Sequence, residues 1–439
     1  MDRKRKLDST YAEDVMTRHG SLTIPEIVSI IIAIDDSKSL QENIKNKTIR
    51  NINMHITEHT RKTILMKACE AGSIECVKVL LANNSNVNDI DYYQKSALSY
   101  AAESGNVNIL NIILSHDELD IDLVYETLHE PLSIISPSFP LSIEIVKLLV
   151  SRLPDVNRRV HGDCILLNHA VRGGYLDIVR LLLIAGADPC ITDVSGRDAL
   201  ELASKEGRID AIRLLFESNS PNTITTESIS NAYLCACYYG RIDIVRYLLS
   251  KGADVNATEE DGYLAIDYVI SDSMGKSNIL LTKLLIESGF NVNAIYLLRS
   301  VLYYACIQRS TEVVQLLLEH GAHPDIHYPD GHALLPELVE ETCQLRADYT
   351  EYITLLLGRG ANVNIAHRVT GQTALMVAGA AANIDLVKLL LEHGADVTQV
   401  NREGKSVLDI GRTRSHSKVA ELYEQYIDSN RVDAKAILK

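Results

Sequence analysis

Apolar residues along this chain fall in dense blocks that recur at a fixed spacing. In "LDIVRLLL", Leu176 to Leu183, the apolar positions are Leu176, Ile178, Val179, Leu181, Leu182 and Leu183. They cover too much of a helix circumference for a surface helix with one wet face. The pattern predicts a helix sandwiched between neighbours. Gly186 then ends it, because a residue just past a helix C-terminus commonly needs the left-handed backbone that glycine tolerates. A polar link follows, with Asp193 and Gly196 suited to a tight turn. The next block, "DALELASKEG", offers Ala199, Leu200, Leu202 and Ala203 as small or flat contacts for a second, shorter helix.

The same phrase returns. "GGYLDIVRLLLIAGADP" starts at Gly173, "GRIDIVRYLLSKGADVN" at Gly240 and "ANIDLVKLLLEHGADVT" at Ala382. The marker glycines Gly186, Gly252, Gly289, Gly321, Gly360 and Gly394 are separated by 66, 37, 32, 39 and 34 residues, and 66 is two units with Asn219 as an unmarked midpoint. Leu153 lies 33 residues before Gly186, and Asn84 heads an earlier copy. A unit of about 33 residues repeated roughly ten times marks a stacked array, in which no unit buries its apolar faces alone.

These residues resemble the ankyrin repeat family. "TGQTALMVAGAAANIDLVKLLLEHGADV", Thr370 to Val397, and "GRIDIVRYLLSKGADVN" match its pattern closely, and the resemblance covers residues 57–425. It implies an all-α solenoid of helix-turn-helix units with hairpin-like fingers, in a family whose members mostly bind other proteins. The family histidine is missing: its place holds Met66, Ser99, Asn168, Glu201, Leu234, Tyr303 and Met376. The resemblance implies that losing its capping network loosens individual copies. The copy from Tyr125 to Asn157 is degenerate, with Pro131, Pro137 and Pro140 around its first helix. Insertions near Ser271–Ser277 and Glu341–Thr350 are expected to project as loops. The family's Val-Asn asparagines, here Asn88, Asn157, Asn256, Asn293 and Asn364, make the chain a candidate substrate for asparagine hydroxylation.

The ends differ from the array. Residues 1–21 read as a disordered charged tail, 22–56 as a divergent N-terminal cap with a helix in "IPEIVSIIIAI", and 426–439 as a C-terminal helix and tail. Caps of this kind keep an array soluble.

Composition narrows the function. The chain of 439 residues has no Trp, three Phe and 20 Tyr, which suits thin layers of aliphatic residues better than one large core. A net charge of −15 argues against nucleic-acid partners, which need clustered Lys and Arg. The run Arg3–Lys6 is the local exception and makes the nucleus a second compartment beside the cytoplasm. No apolar stretch reaches the roughly 18 residues of a membrane helix. Eight scattered cysteines read as reduced thiols. A monomer without cofactor or membrane contact is expected.

Catalytic chemistry finds little support. There is no phosphate-cradling loop, nucleophile elbow or His-Glu-x-x-His. His320, His323, His327 and His332 form the densest set of metal-ligand types, but they straddle a turn and His393 repeats the place of His320. Cys164 near His161 and His169 sits at a repeat position. The expectation is a non-enzyme with no metal site.

Binding residues follow from the family register, which exposes the turn and the end of the short helix. The resemblance thus implies Tyr92, Tyr93, Lys95 and Glu103 in one copy, then Arg197, Tyr238, Tyr239, Glu260, Asp261, Tyr263, Tyr296 and Arg299 in later ones. Tyr and Arg are the residues enriched in interface hot spots. Tyr268 is expected to be buried. Glu259, Glu260, Asp261, Glu340 and Glu341 suggest a partner with basic patches. The leading reading is a non-catalytic protein-binding scaffold. The alternatives are the substrate-recruiting subunit of a ubiquitin ligase, which needs a docking helix pair that neither 22–56 nor 411–439 displays, and, well behind it, a metal-binding protein built on the His320–His332 cluster.

Overall fold

Gly186 shows how one unit is closed. It has φ +91°, and the Ala187 amide turns back onto the Leu182 carbonyl at 2.9 Å, so the helix stops and the chain reverses. The computed structural model describes residues 23–57, 59–133, 142–159, 165–217, 224–259, 262–270, 279–344, 348–413 and 418–426. The tail 1–21, Pro137, Pro140, Cys164, His161, Glu260, Asp261, the 271–277 insertion and nearly all of 426–439 lie outside them. The chain divides into two compact units, Met1–Ser228 and Ile229–Lys439.

In the first unit helices come in pairs: α1 (Ile24–Ala33) with α2 (Ser37–Lys45), α3 (Ile64–Ala71) with α4 (Ile74–Ala82), α5 (Ala97–Glu103) with α6 (Val107–Leu114). They continue with α7 (Asp122–Ser133) and α8 (Ile143–Val150), α9 (Leu166–Gly173) and α10 (Leu176–Ile184), α11 (Ala199–Glu206) and α12 (Ile209–Glu217). First helices pack on first helices and second on second, each touching its equivalents in the neighbouring pairs of this unit. The sandwich predicted for "LDIVRLLL" is there: α10 buries Ile178, Val179 and Leu182 and touches α8 and α12. Ile184, at its end, remains exposed.

The polar segment after Ile34 holds a second helix that its residue pattern does not announce. Asp36 caps it, accepting from the Ser39 amide at 3.1 Å. The α1–α2 pair packs on α3–α4, and Ser73 Oγ donates to the Ile32 carbonyl at 2.5 Å.

The second unit opens within α13 (Thr226–Tyr238) and continues with α14 (Ile242–Ser250), α15 (Ala265–Ile270), α16 (Ile279–Glu287), α17 (Val301–Ile307) and α18 (Thr311–Glu319). Then come α19 (Leu334–Gln344), α20 (Thr350–Gly358), α21 (Ala374–Ala380), α22 (Ile384–Glu392) and α23 (Val407–Thr413). Packing again runs within rows: α15 on α17, α19 on α21, α21 on α23, and α14 on α16, α16 on α18. The insertion at 341–350 begins as helix rather than loop, since α19 runs eleven residues.

Without the histidine, five first helices still carry a side-chain cap, whereas α9, with Ile165 in the cap position, has none. Thr63, Ser96, Asp198, Ser300 and Thr373 each accept the amide three residues on with a side-chain oxygen. The fingers are short hairpins. One is a two-stranded ribbon, β1 (Ile295–Tyr296) with β2 (Arg299–Ser300), and others close through single bridges such as Ile90 with Ser96 and His327 with Ala333.

Candidate functional site

An Asp or Asn at the base of a finger organises its tip. Asp91 Oδ1 accepts from the Tyr93 amide (2.8 Å) and the Lys95 amide (3.0 Å); Asp193 does the same for Ser195 and Arg197, and Asn401 for Glu403 and Lys405. A short polar side chain that bonds its own backbone fixes such a turn without a neighbour. Adjacent fingers are also laced together, the Tyr92 amide donating to the Thr60 carbonyl and the Arg402 amide to Thr370, both at 3.0 Å. Residues on the tips are therefore held on a rigid frame.

Tyr92 and Tyr93 stand on the tip of their finger at 61% and 66% exposure, with Arg61 over the Tyr92 ring at 5.6 Å. Lys95 and Glu103 form a 2.5 Å ion pair that ties the finger to the end of α5. Tyr100, behind them, donates its hydroxyl to Asp91 Oδ2 at 2.6 Å while Lys62 covers its ring at 4.1 Å. Arg197 is half-buried and lies 3.8 Å from Asp193.

In the second unit Tyr238 is 43% and Tyr263 40% exposed, and Tyr239 is half-buried against Tyr238. Tyr268, expected in the core, is only half-buried: its ring meets Tyr238 edge-on at 5.3 Å and lies beside Tyr263. Tyr296 departs most from expectation. It is 9% exposed, stacked on Tyr304 at 4.4 Å with its hydroxyl beside Asp267, so it is a packing residue. Arg299 is committed as well: it bridges Asp330 (2.7 Å) and Glu337 (2.5 Å) and leaves little charge to offer a partner.

Asp267 is not among the site residues expected from sequence. It occupies the place of the family histidine in its copy, its Oδ2 accepting from the Leu264 amide at 2.7 Å. Burial pushes its carboxyl up to about 7. Glu337 is likewise raised by burial, with the Arg299 contact opposing. The signal is present in "LAID", which lines up with "TALM" and "SVLY".

The histidines of "EHGAHPDIHYPDGH" turn to separate partners. His320 Nδ1 is 2.9 Å from the Leu316 carbonyl, His327 Nε2 is 3.0 Å from the Ala366 carbonyl, and His332 meets the His367 ring edge-on at 4.3 Å. Among the described residues no group of three or more His, Cys, Asp or Glu is arranged to hold a metal ion. His169 packs edge-on against His129 at 5.1 Å, and burial lowers it to about 4. No described helix is long and apolar enough to cross a membrane.

A family model described as ankyrin repeats in three copies matches residues 30–124, 140–227, 167–259, 234–328 and 343–433. Similar proteins include ankyrin repeat and SOCS box protein 11 of Danio rerio, 36% identical over 121 residues, which is 27% of this chain and 38% of that one. An ankyrin repeat protein of fowlpox virus is 30% identical over 119 residues, 27% of this chain and 28% of the relative. The nuclear factor NF-kappa-B p105 subunit of Gallus gallus is 32% identical over 139 residues, 31% of this chain and 14% of the relative. The chain thus spans well under half the length of each of these relatives. With family matches along most of its length and stacked helix pairs joined by fingers, the chain belongs to the ankyrin repeat family.

Proposed function

We propose that the protein is a non-catalytic scaffold that binds a protein partner through its finger tips and the adjoining ends of its first helices. The observation that carries this reading is the Tyr92–Tyr93 pair, two large aromatic side chains exposed on a finger whose backbone Asp91 and the neighbouring finger fix in place. Rigid, amphipathic side chains held ready lose little entropy on binding. Three to five adjacent copies supply the roughly 800 Å² per partner of a specific interface. Proximity labelling in the native cell, followed by pull-down of the identified partner, tests it. Changing Tyr92, Tyr93, Tyr238 and Tyr239 together to Ala is expected to abolish capture; capture of the same partner at full yield sinks the reading. The cytoplasm, with the nucleus second, is the compartment this reading carries, and imaging of a tagged chain checks it.

A second reading is recruitment of substrates to a ubiquitin ligase. It is favoured by the fish relative, whose name joins ankyrin repeats to a SOCS box. Co-purification of a cullin-type protein with the intact chain supports it, and a cullin-free preparation in which the partner is still present removes it.

A further inference from the structure

The second unit carries a row of tyrosines on its fingers and first helices. Tyr238 closes α13, Tyr268 lies in α15, Tyr303 and Tyr304 lie in α17, and Tyr263, Tyr296 and Tyr328 come from the fingers. The Tyr303 ring meets Tyr304 at 5.4 Å and Tyr328 at 6.3 Å. Two features of this row point to one ligand chemistry.

At one end the row already holds a cation. The Arg299 guanidinium lies 5.7 Å from the centroid of Tyr303 and 5.0 Å from that of Tyr328, and Asp330 and Glu337 accept its N–H groups. Ring faces carry partial negative charge, so two tyrosines and two carboxylates make a receptor for a guanidinium. At the other end the same components recur. Tyr238, Tyr263 and Tyr268 come together, at 5.3 Å for Tyr238 with Tyr268 and 6.2 Å for Tyr263 with Tyr268, and the Glu259 carboxylate lies at the Tyr268 hydroxyl. Among the described residues no Lys or Arg stands over these three rings.

Carboxylates outnumber basic groups around the row. Asp267 and Glu337 lie in electrostatic range of Tyr304, and Glu337 and Glu341 of Tyr303. Arg299, the basic group among them, is matched by two carboxylates of its own. An acidic, tyrosine-lined face excludes nucleic acid and anionic peptides and favours a cationic chain.

We infer that the partner is a basic protein segment lying along this row, with one guanidinium or ammonium group seated on the cluster of Tyr238, Tyr263 and Tyr268 against Glu259. The inference rests on the protein-binding reading above and names the chemistry of the partner at this face. The Arg299 site shows, within the same molecule, the contact that the segment makes.

Isothermal titration calorimetry on the full chain tests it, with a capped peptide of Gly and Ser carrying four Arg as the probe and its Arg-to-Glu counterpart as control. The arginine peptide is expected to bind, more weakly as salt is raised, and the glutamate peptide to give no heat. Tyr263→Leu keeps apolar area while removing the ring face, and Glu259→Gln removes the charge; each is expected to weaken binding roughly 2- to 30-fold. Tyr247→Leu, on the second helix α14, is expected to leave it unchanged. Thermal melts establish that each variant folds. Absence of binding by the arginine peptide, equal binding of the glutamate peptide, or unchanged affinity in both Tyr263→Leu and Glu259→Gln overturns the inference. Loss of the native partner on changing Tyr92 and Tyr93, with the cage variants unaffected, retains the scaffold reading and discards this one.

Discussion

Asn157 reaches across to Gly186 in the next copy, its Nδ2 donating to the Gly186 carbonyl at 3.1 Å. Its Oδ1 at the same time accepts from the Asp188 amide at 2.7 Å. One side chain thereby satisfies a donor and an acceptor in the stretch just past a helix end, where carbonyls lack intrahelical partners. The arrangement repeats: Asn88 holds Glu118 and Asp120, Asn293 holds Gly321 and His323, and Asn364 holds Gly394 and Asp396. The asparagine of these four "VN" pairs is thus a rivet between copies, which gives the recurrent residue a structural cause; Asn256 shows the acceptor half, its Oδ1 taking the Asn291 amide at 2.9 Å.

Replacing Asn157 or Asn293 by Ala leaves a carbonyl and an amide without their partner. The expected cost is roughly 1–3 kcal/mol at each site. Because copies in a stack depend on their neighbours, hydrogen exchange should accelerate in the flanking helix pairs before distant ones. Uniform exchange throughout the chain would contradict the rivet.

Leu297 and Leu298 form the turn of the β1–β2 ribbon with φ +45° and +70°, and both are exposed. Left-handed backbone costs a branched side chain roughly 1–2 kcal/mol per residue. An asparagine followed by a glycine is the pair best suited to such a turn. The double variant L297N/L298G should therefore raise the melting temperature. A lower one would show that the leucines pack better than their exposure suggests.

Arg299 neutralises Glu337, a buried carboxylate, from a different copy's finger. Arg299→Ala should cost roughly 3–5 kcal/mol near neutral pH, since an unpaired buried charge remains. Acidification should relieve part of that cost by protonating Glu337, whose carboxyl burial already raises. The double variant with Glu337→Gln should be more stable than Arg299→Ala alone. Urea melts at two pH values check both statements.

Asp267 carries a folded-state pKa of about 7, above its ordinary value. Below the unfolded pKa, near 4, both states are protonated and the group has no effect. As pH rises from there toward 7 the unfolded chain releases its proton first, so folding stability falls. The loss reaches at most about 4 kcal/mol. Asp267→Asn keeps an acceptor for the Leu264 amide and removes the ionisation. It should therefore stabilise the fold at pH 7.5 and make little difference at pH 4. His169 works in the opposite sense: its lowered pKa means that acidification below the ordinary histidine value destabilises the fold. A flat pH dependence of the Asp267→Asn difference would refute the assignment.

The helix pairs, their turns and their stacking follow from residues a few positions apart. Leu182 and Gly186 carry them, since a helix face and a left-handed C-terminal residue are local matters. The helix after Ile34 is hidden among polar residues, with Leu40 as its one buried position. The insertion at 341–350 is legible as extra length, but its helical start is not, for repeat spacing reports length and not conformation.

Residue order alone dictates a row of two-helix units, because each unit writes out an apolar face that only a neighbour can cover. It also dictates the turns of the Asp91 and Asp193 fingers, because each of these residues closes its own turn with its side chain. Which tyrosines face outward is settled only when the copies pack. Tyr296 and Tyr263 both sit on fingers, yet one is sunk beside Asp267 and the other stands clear. The difference arises from residues of the adjoining copy, whose side chains set the depth of each pocket. No local pattern encodes that depth, since burial belongs to the contact between copies and not to either alone.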